Sequence, residues 1–73
     1  MNDVRQIFVR LLGEGVDVWR PVQAQRLGDD LYLVLDQQYD RDVEQWQFEP
    51  GSRVLCEQIQ SDSGLILAAT RSA

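Results

Sequence analysis

Short runs in which apolar residues alternate with polar ones, turn residues recurring roughly every eight to twelve positions, and a length of 73 residues together predict an all-β fold. At that length the arrangement that fits is a small SH3-like barrel of five or six antiparallel strands with at most one short helical turn, residues 1–73 forming a single domain. The hydrophobic fraction of 44% is enough for one core. A chain of this size has little stability to spare.

The first strand is expected over residues 4–12, where Ile7, Val9 and Leu11 alternate with Arg5 and Arg10 in the period of two that a half-buried strand requires. Phe8 falls on the arginine face. Gly13, Glu14 and Gly15 then bend the chain through positive φ angles, and a long second strand follows with Val16, Val18, Val22 and Ala24 on one face. Pro21 has no N–H to donate and belongs at a strand edge or a bulge. Gly28, Asp29 and Asp30 supply a turn, and a third strand sets Leu31, Leu33 and Leu35 against Tyr32 and Val34.

Residues 36–44 are polar and read as a solvated loop, with a single helical turn over residues 40–44. Trp46 and Phe48 restart the alternation as a fourth strand. Pro50, Gly51 and Ser52 make a tight turn in which the proline fixes φ at the second position and the glycine accepts a positive φ at the third. Residues 53–60 and 65–70 are the last two strands, joined by a hairpin loop at residues 61–64.

Composition narrows the chemistry. All seven basic residues are arginine, and there is neither lysine nor histidine, which removes the commonest general acid/base, the Schiff-base nucleophile and the commonest neutral metal ligand. No catalytic residue, metal site or cofactor is therefore expected. The formal charge is −5. Most of it lies in residues 36–62, where two arginines face seven acids. A net acidic chain with no basic run disfavours a nucleic-acid partner, because phosphate backbones are bound by clustered Lys and Arg.

Cys56 has no second cysteine to pair with and no histidine to share a metal. Its alternation in phase with Val54 places it in the core as a small apolar side chain. Together with the absence of a leader-like apolar run or an apolar stretch of membrane-spanning length, this predicts a cytoplasmic protein with no membrane partner.

Two motifs carry a resemblance. The pattern E-G-x-x-V-W-R-P-V runs from Glu14 through Trp19, Arg20 and Pro21 to Val22, and W-x-F-x-P-G-x-x-V-x-C-E runs from Trp46 through Phe48, Pro50, Gly51, Val54 and Cys56 to Glu57. With both motifs the chain resembles a group of short uncharacterised bacterial proteins. The resemblance implies a bacterial origin and a compact β-domain and carries no activity.

The residues to examine for binding are Glu14, Asp17, Trp19, Arg20, Tyr39 and Trp46. Glu14, Asp17 and Arg20 flank Trp19, a polar setting with an aromatic wall that suits a cationic or planar ligand. Folding alone would instead pair Arg20 with Glu14 or Asp17 and let Trp19 cover the open end of the barrel. Asp36, Asp40, Asp42 and Glu44 put four carboxylates within nine residues, but without the central glycine and final glutamate of a calcium loop.

The functional expectation is a non-catalytic protein or peptide interaction module, with Trp19, Tyr32, Tyr39, Trp46 and the acidic loop as its surface. One alternative is an acidic decoy that imitates a phosphate backbone and inhibits a nucleic-acid-binding protein. Another is a small enzyme whose site is completed only in an oligomer. Residues 65–69 are apolar on both faces, so a homodimer through the last strand is a further expectation.

Overall fold

The computed structural model describes residues 3–73. These form five strands, β1 (Val4–Arg10), β2 (Trp19–Arg26), β3 (Leu31–Val34), β4 (Arg53–Ser61) and β5 (Gly64–Ser72), and no helix among the described residues. The strands follow in chain order around a closed barrel, the size and class expected of an SH3-like barrel. Each is antiparallel to the next, and β5 meets β1 in parallel at Phe8 and Ala68. An up-and-down meander of odd strand number ends in the direction in which it began, so the closing pair has to be parallel.

Alternation decides what enters the barrel. Ile7, Val9 and Leu11 come from β1 and its end, Val22 and Ala24 from β2, Tyr32 and Val34 from β3, and Val54 and Cys56 from β4; all are buried in one core cluster. Leu31, Leu33 and Leu35 occupy the half-buried outward face of the third strand. Tyr32 is only 4% exposed, so it is a core residue and contributes nothing to the surface expected of it.

The expected strand around Trp46 and Phe48 is a single bridge. Leu11 lies opposite Trp46, the Leu12 N–H donates to Gln45 O at 2.7 Å, and the Gln47 N–H donates to Arg10 O at 2.8 Å. Pairing stops there, and Pro50 follows, which has no N–H for a ladder. Trp46 is buried, and Phe48 packs against the core beside it. The second strand also begins later than alternation suggests, at Trp19, leaving Val16 74% exposed in the preceding loop.

The turns follow their residues. Ser52 N–H donates to Glu49 O at 3.1 Å with Gly51 at φ 92°, the type II arrangement that needs a glycine at its third position. Gly13 and Gly15, at φ 77° and 76°, bend the loop after β1. The single helical turn is present where expected: Asp40 O accepts from the N–H groups of Val43 and Glu44 at 3.1 and 2.8 Å.

β5 is apolar on both faces because both are used. Between Leu55 and Cys56 the register with β4 jumps from Arg71 to Ala69, making Thr70 a bulge residue whose hydroxyl donates to Leu55 O at 3.4 Å. Ala69 and Leu67 face the core. Ile66 and Ala68, on the alternate positions, are buried outside that cluster, and Ala68 is the residue that pairs with Phe8. β5 thus has strand neighbours on both sides, and of its apolar residues only Leu65, near the hairpin, stands well exposed. Both apolar faces of β5 have buried positions within the chain.

β2 has one edge that β3 leaves uncovered, and side chains close it. The Gln37 amide accepts from the Gln23 N–H at 2.9 Å and donates to Gln23 O at 3.0 Å, imitating a strand partner. Gln23 therefore points its backbone groups away from β1, and Pro21, two residues earlier, points the same way, so its missing N–H falls on the open edge and costs no ladder bond. Pro21 O is taken by Arg20 Nη1 at 2.6 Å. Gln37→Ala should lower stability by about 1–2 kcal/mol in urea unfolding and increase association through the uncovered edge.

Cys56 is 1% exposed, and burial, followed by the nearby Asp30 carboxylate, pushes its thiol from 9.0 up to about 11. A raised thiol means that the unfolded chain ionises first. Stability should hold below pH 9 and fall between pH 9 and about 11, and this part of the decline should be missing from Cys56→Ala when the two proteins are unfolded in urea across that range.

Candidate functional site

Trp19 and Arg20 are neighbours in sequence and point to opposite faces of β2, so they belong to separate assemblies. Arg20 lies across from Val9, an inward position, and at this end of the barrel its guanidinium reaches the mouth. There Glu44 Oε1 accepts from Arg20 Nε at 3.2 Å and from Trp46 Nε1 at 3.0 Å. The Arg20 guanidinium also sits 5.8 Å from the Trp46 ring centre, and Tyr39 stacks on Trp46 with centroids 4.0 Å apart and planes 18° from parallel.

This mouth differs from the expected one in two respects. Arg20 pairs with Glu44 from the distant loop and with neither Glu14 nor Asp17. The tryptophan that closes the barrel is Trp46, 3% exposed, whereas Trp19 is half-buried on the outside. Trp46 is therefore a core residue and cannot present a binding face. Its indole N–H needs an acceptor once buried, and Glu44 supplies it.

The loop over residues 36–49 is consequently docked. Tyr39 donates its hydroxyl to Glu49 Oε1 at 3.1 Å, and Arg41 lies over the Tyr39 ring at 5.4 Å and within 4.0 Å of Glu49. Partial desolvation, and then the bond to Glu49, raise the Tyr39 phenol above its ordinary value. Asp40 Oδ1 accepts from the Asp42 N–H at 2.9 Å, stabilising the turn. Among the described residues no three histidine, cysteine, aspartate or glutamate side chains converge as metal ligands.

The second assembly forms around Trp19. Arg10, directly across the ladder, lays its guanidinium over the Trp19 ring at 5.2 Å and forms an ion pair with Asp17 at 3.2 Å. Arg10 Nε is buried without a hydrogen-bond acceptor. Glu14 is exposed on the loop and makes no ion pair among the described residues.

Beside Trp19 runs a groove of about 420 Å³, with the loop at Asp17 and Val18 on one side and the hairpin residues 60–63 on the other. Phe8, Trp19 and Ile66 give it apolar walls, and Asp17 and Asp62 are its charged residues. The hairpin is held by its own polar groups: Ser61 Oγ donates to Gly64 O at 2.9 Å and accepts from the Ser63 N–H at 3.2 Å. A second concavity, about 450 Å³ and more open, lies along residues 37–41 and is formed by that one stretch.

Of the six residues singled out in the sequence, Asp17 and Trp19 line the groove, Arg20, Tyr39 and Trp46 build the mouth, and Glu14 joins neither. Sequence reasoning missed the hairpin and Ile66. The signal for Ile66 was the apolarity of both faces of the last strand together with Phe8 on the arginine face of the first, two outward apolar positions that line one groove.

Comparison with known proteins finds no matching family model, no matching curated protein and no matching solved structure. No helix among the described residues is long and apolar enough to cross a membrane.

The two tryptophans should separate cleanly in urea unfolding. Trp46→Ala opens the buried mouth and should cost about 3–5 kcal/mol, enough to unfold much of a domain this small. Trp19→Ala removes a half-buried outer side chain and should cost about 1–2 kcal/mol. The reverse order would make Trp19 the plug.

Proposed function

We propose that this chain is a non-catalytic interaction module that binds a protein or peptide partner in the groove beside Trp19. The observation that carries the reading is the groove itself, a concavity that joins the apolar walls Phe8, Trp19 and Ile66 to the polar hairpin residues and two acids. Peptide-binding surfaces commonly take this form, with an aromatic wall that grips one side chain and a polar rim that sets orientation. The size and charge of the chain support it, because an acidic domain without lysine or histidine suits recognition better than proton transfer.

We place the module in the cytoplasm, where a lone buried thiol such as Cys56 stays reduced, and in the bacterial group that the two motifs resemble. Phosphate mimicry finds less support. Glu44 and Glu49 are held by Arg20 and Arg41, and Asp40 is spent on its own turn, so part of the acidic segment is occupied within the chain.

Selection of displayed peptides on the intact protein, followed by heteronuclear NMR of the winners, tests the reading. Bound peptides should shift the resonances of Phe8, Trp19, Ile66 and the 60–63 hairpin, and Trp19→Ala should abolish binding while preserving the dispersed spectrum of a folded barrel. Winners whose shifts map to another face, or no winners, would overturn it.

A further inference from the structure

We propose that the occupant of the groove is a short segment of another protein in which a bulky apolar side chain stands next to a lysine or arginine. This rests on the reading of the chain as an interaction module and adds the chemistry of its partner.

The walls determine the apolar half. Phe8, Trp19 and Ile66 come from three strands, β1, β2 and β5, and meet at the groove where β1 is joined to β5. A space of about 420 Å³ takes a large side chain with part of its backbone and is too small for a folded element. Trp19 is also fixed in place, pinned by the Arg10 guanidinium at 5.2 Å, so the wall is preorganised and loses little entropy on binding.

The charges determine the other half. Both charged residues lining the groove are acids, and they differ in what holds them. Asp17 already has Arg10 at 3.2 Å. Asp62, at the tip of the hairpin, has no ion-pair partner among the described residues and is exposed. A cation beside the inserted side chain therefore finds its counter-charge at Asp62, and the overall charge of −5 draws such a segment in while repelling acidic ones.

Three short synthetic peptides, identical except that a central phenylalanine is flanked by lysines, glutamines or glutamates, test this when titrated into the intact protein and followed by Trp fluorescence and NMR. The lysine peptide should bind tightest and weaken with salt. Asp62→Asn should cost it about two- to fivefold in affinity and leave the glutamine peptide unchanged. Equal affinity for the lysine and glutamine peptides, both lost in Trp19→Ala, overturns the cation and leaves the groove standing. If none of the three reaches the groove while selected peptides do, the proposed chemistry falls alone. If selected peptides also miss it, both readings fall. A concentration-dependent dimer in sedimentation that Trp19→Ala dissolves would make a second copy of this chain the occupant, and would overturn the proposal as well.

Discussion

The mouth of the barrel is organised around one oxygen atom. Glu44 Oε1 accepts from the indole of Trp46 and from the guanidinium of Arg20, and these two donors come from parts of the chain 26 residues apart in number, 20 and 46. Without that acceptor the indole N–H would be buried unpaired at a cost of about 1–3 kcal/mol, so the largest apolar side chain could not sit at the mouth on favourable terms. With it, Trp46 closes the end of the core, the Leu11 bridge forms beneath it, and Tyr39 gains a flat surface on which to stack. The long connection between β3 and β4, which could otherwise have hung free, becomes the lid of the barrel.

That arrangement also governs the electrostatics. The segment that looks most like an acidic surface in composition places Glu44 against Arg20 and Glu49 against Tyr39 and Arg41. Exposed ion pairs of this kind contribute little individually, typically below about 1 kcal/mol, but here they orient aromatic rings that bury considerable area. Glu44 and Glu49 in this loop therefore help to position Trp46 and Tyr39. Asp62, on the far hairpin, carries no such duty.

Alternation made the barrel legible in the sequence. Ile7, Val9, Val22, Ala24, Val54 and Cys56 fall inside because a period of two leaves no other face for them, and the glycine-bearing turns at residues 13–15 and 50–52 follow from backbone sterics alone. The fate of the aromatic residues was not legible. Trp46 and Phe48 alternate like a strand, but a strand needs a neighbour along its whole length, and only Leu11 is offered. Whether Arg20 pairs with an acid three residues away or with one 24 residues away is a question of tertiary geometry, which local spacing does not contain. The groove was hidden for the same reason, since it is made where β5 returns to β1, the most distant strand pairing in the chain.

Trp19 and Trp46 then divide the work that either could have done. The tryptophan buried at the mouth is the one with an acceptor two residues away, since Glu44 and Trp46 lie on the same short segment. Trp19 has Asp17 at the same spacing, but that carboxylate is claimed by Arg10, whose guanidinium covers one face of the ring instead. A tryptophan held on the outside by a cation, with a groove of mixed polarity alongside, is only half-buried by its own chain. Stability has no need of its exposed part, because Trp46, Tyr32 and the aliphatic residues already fill the core. The outward placement of Trp19 is therefore the feature of this fold that core packing explains least.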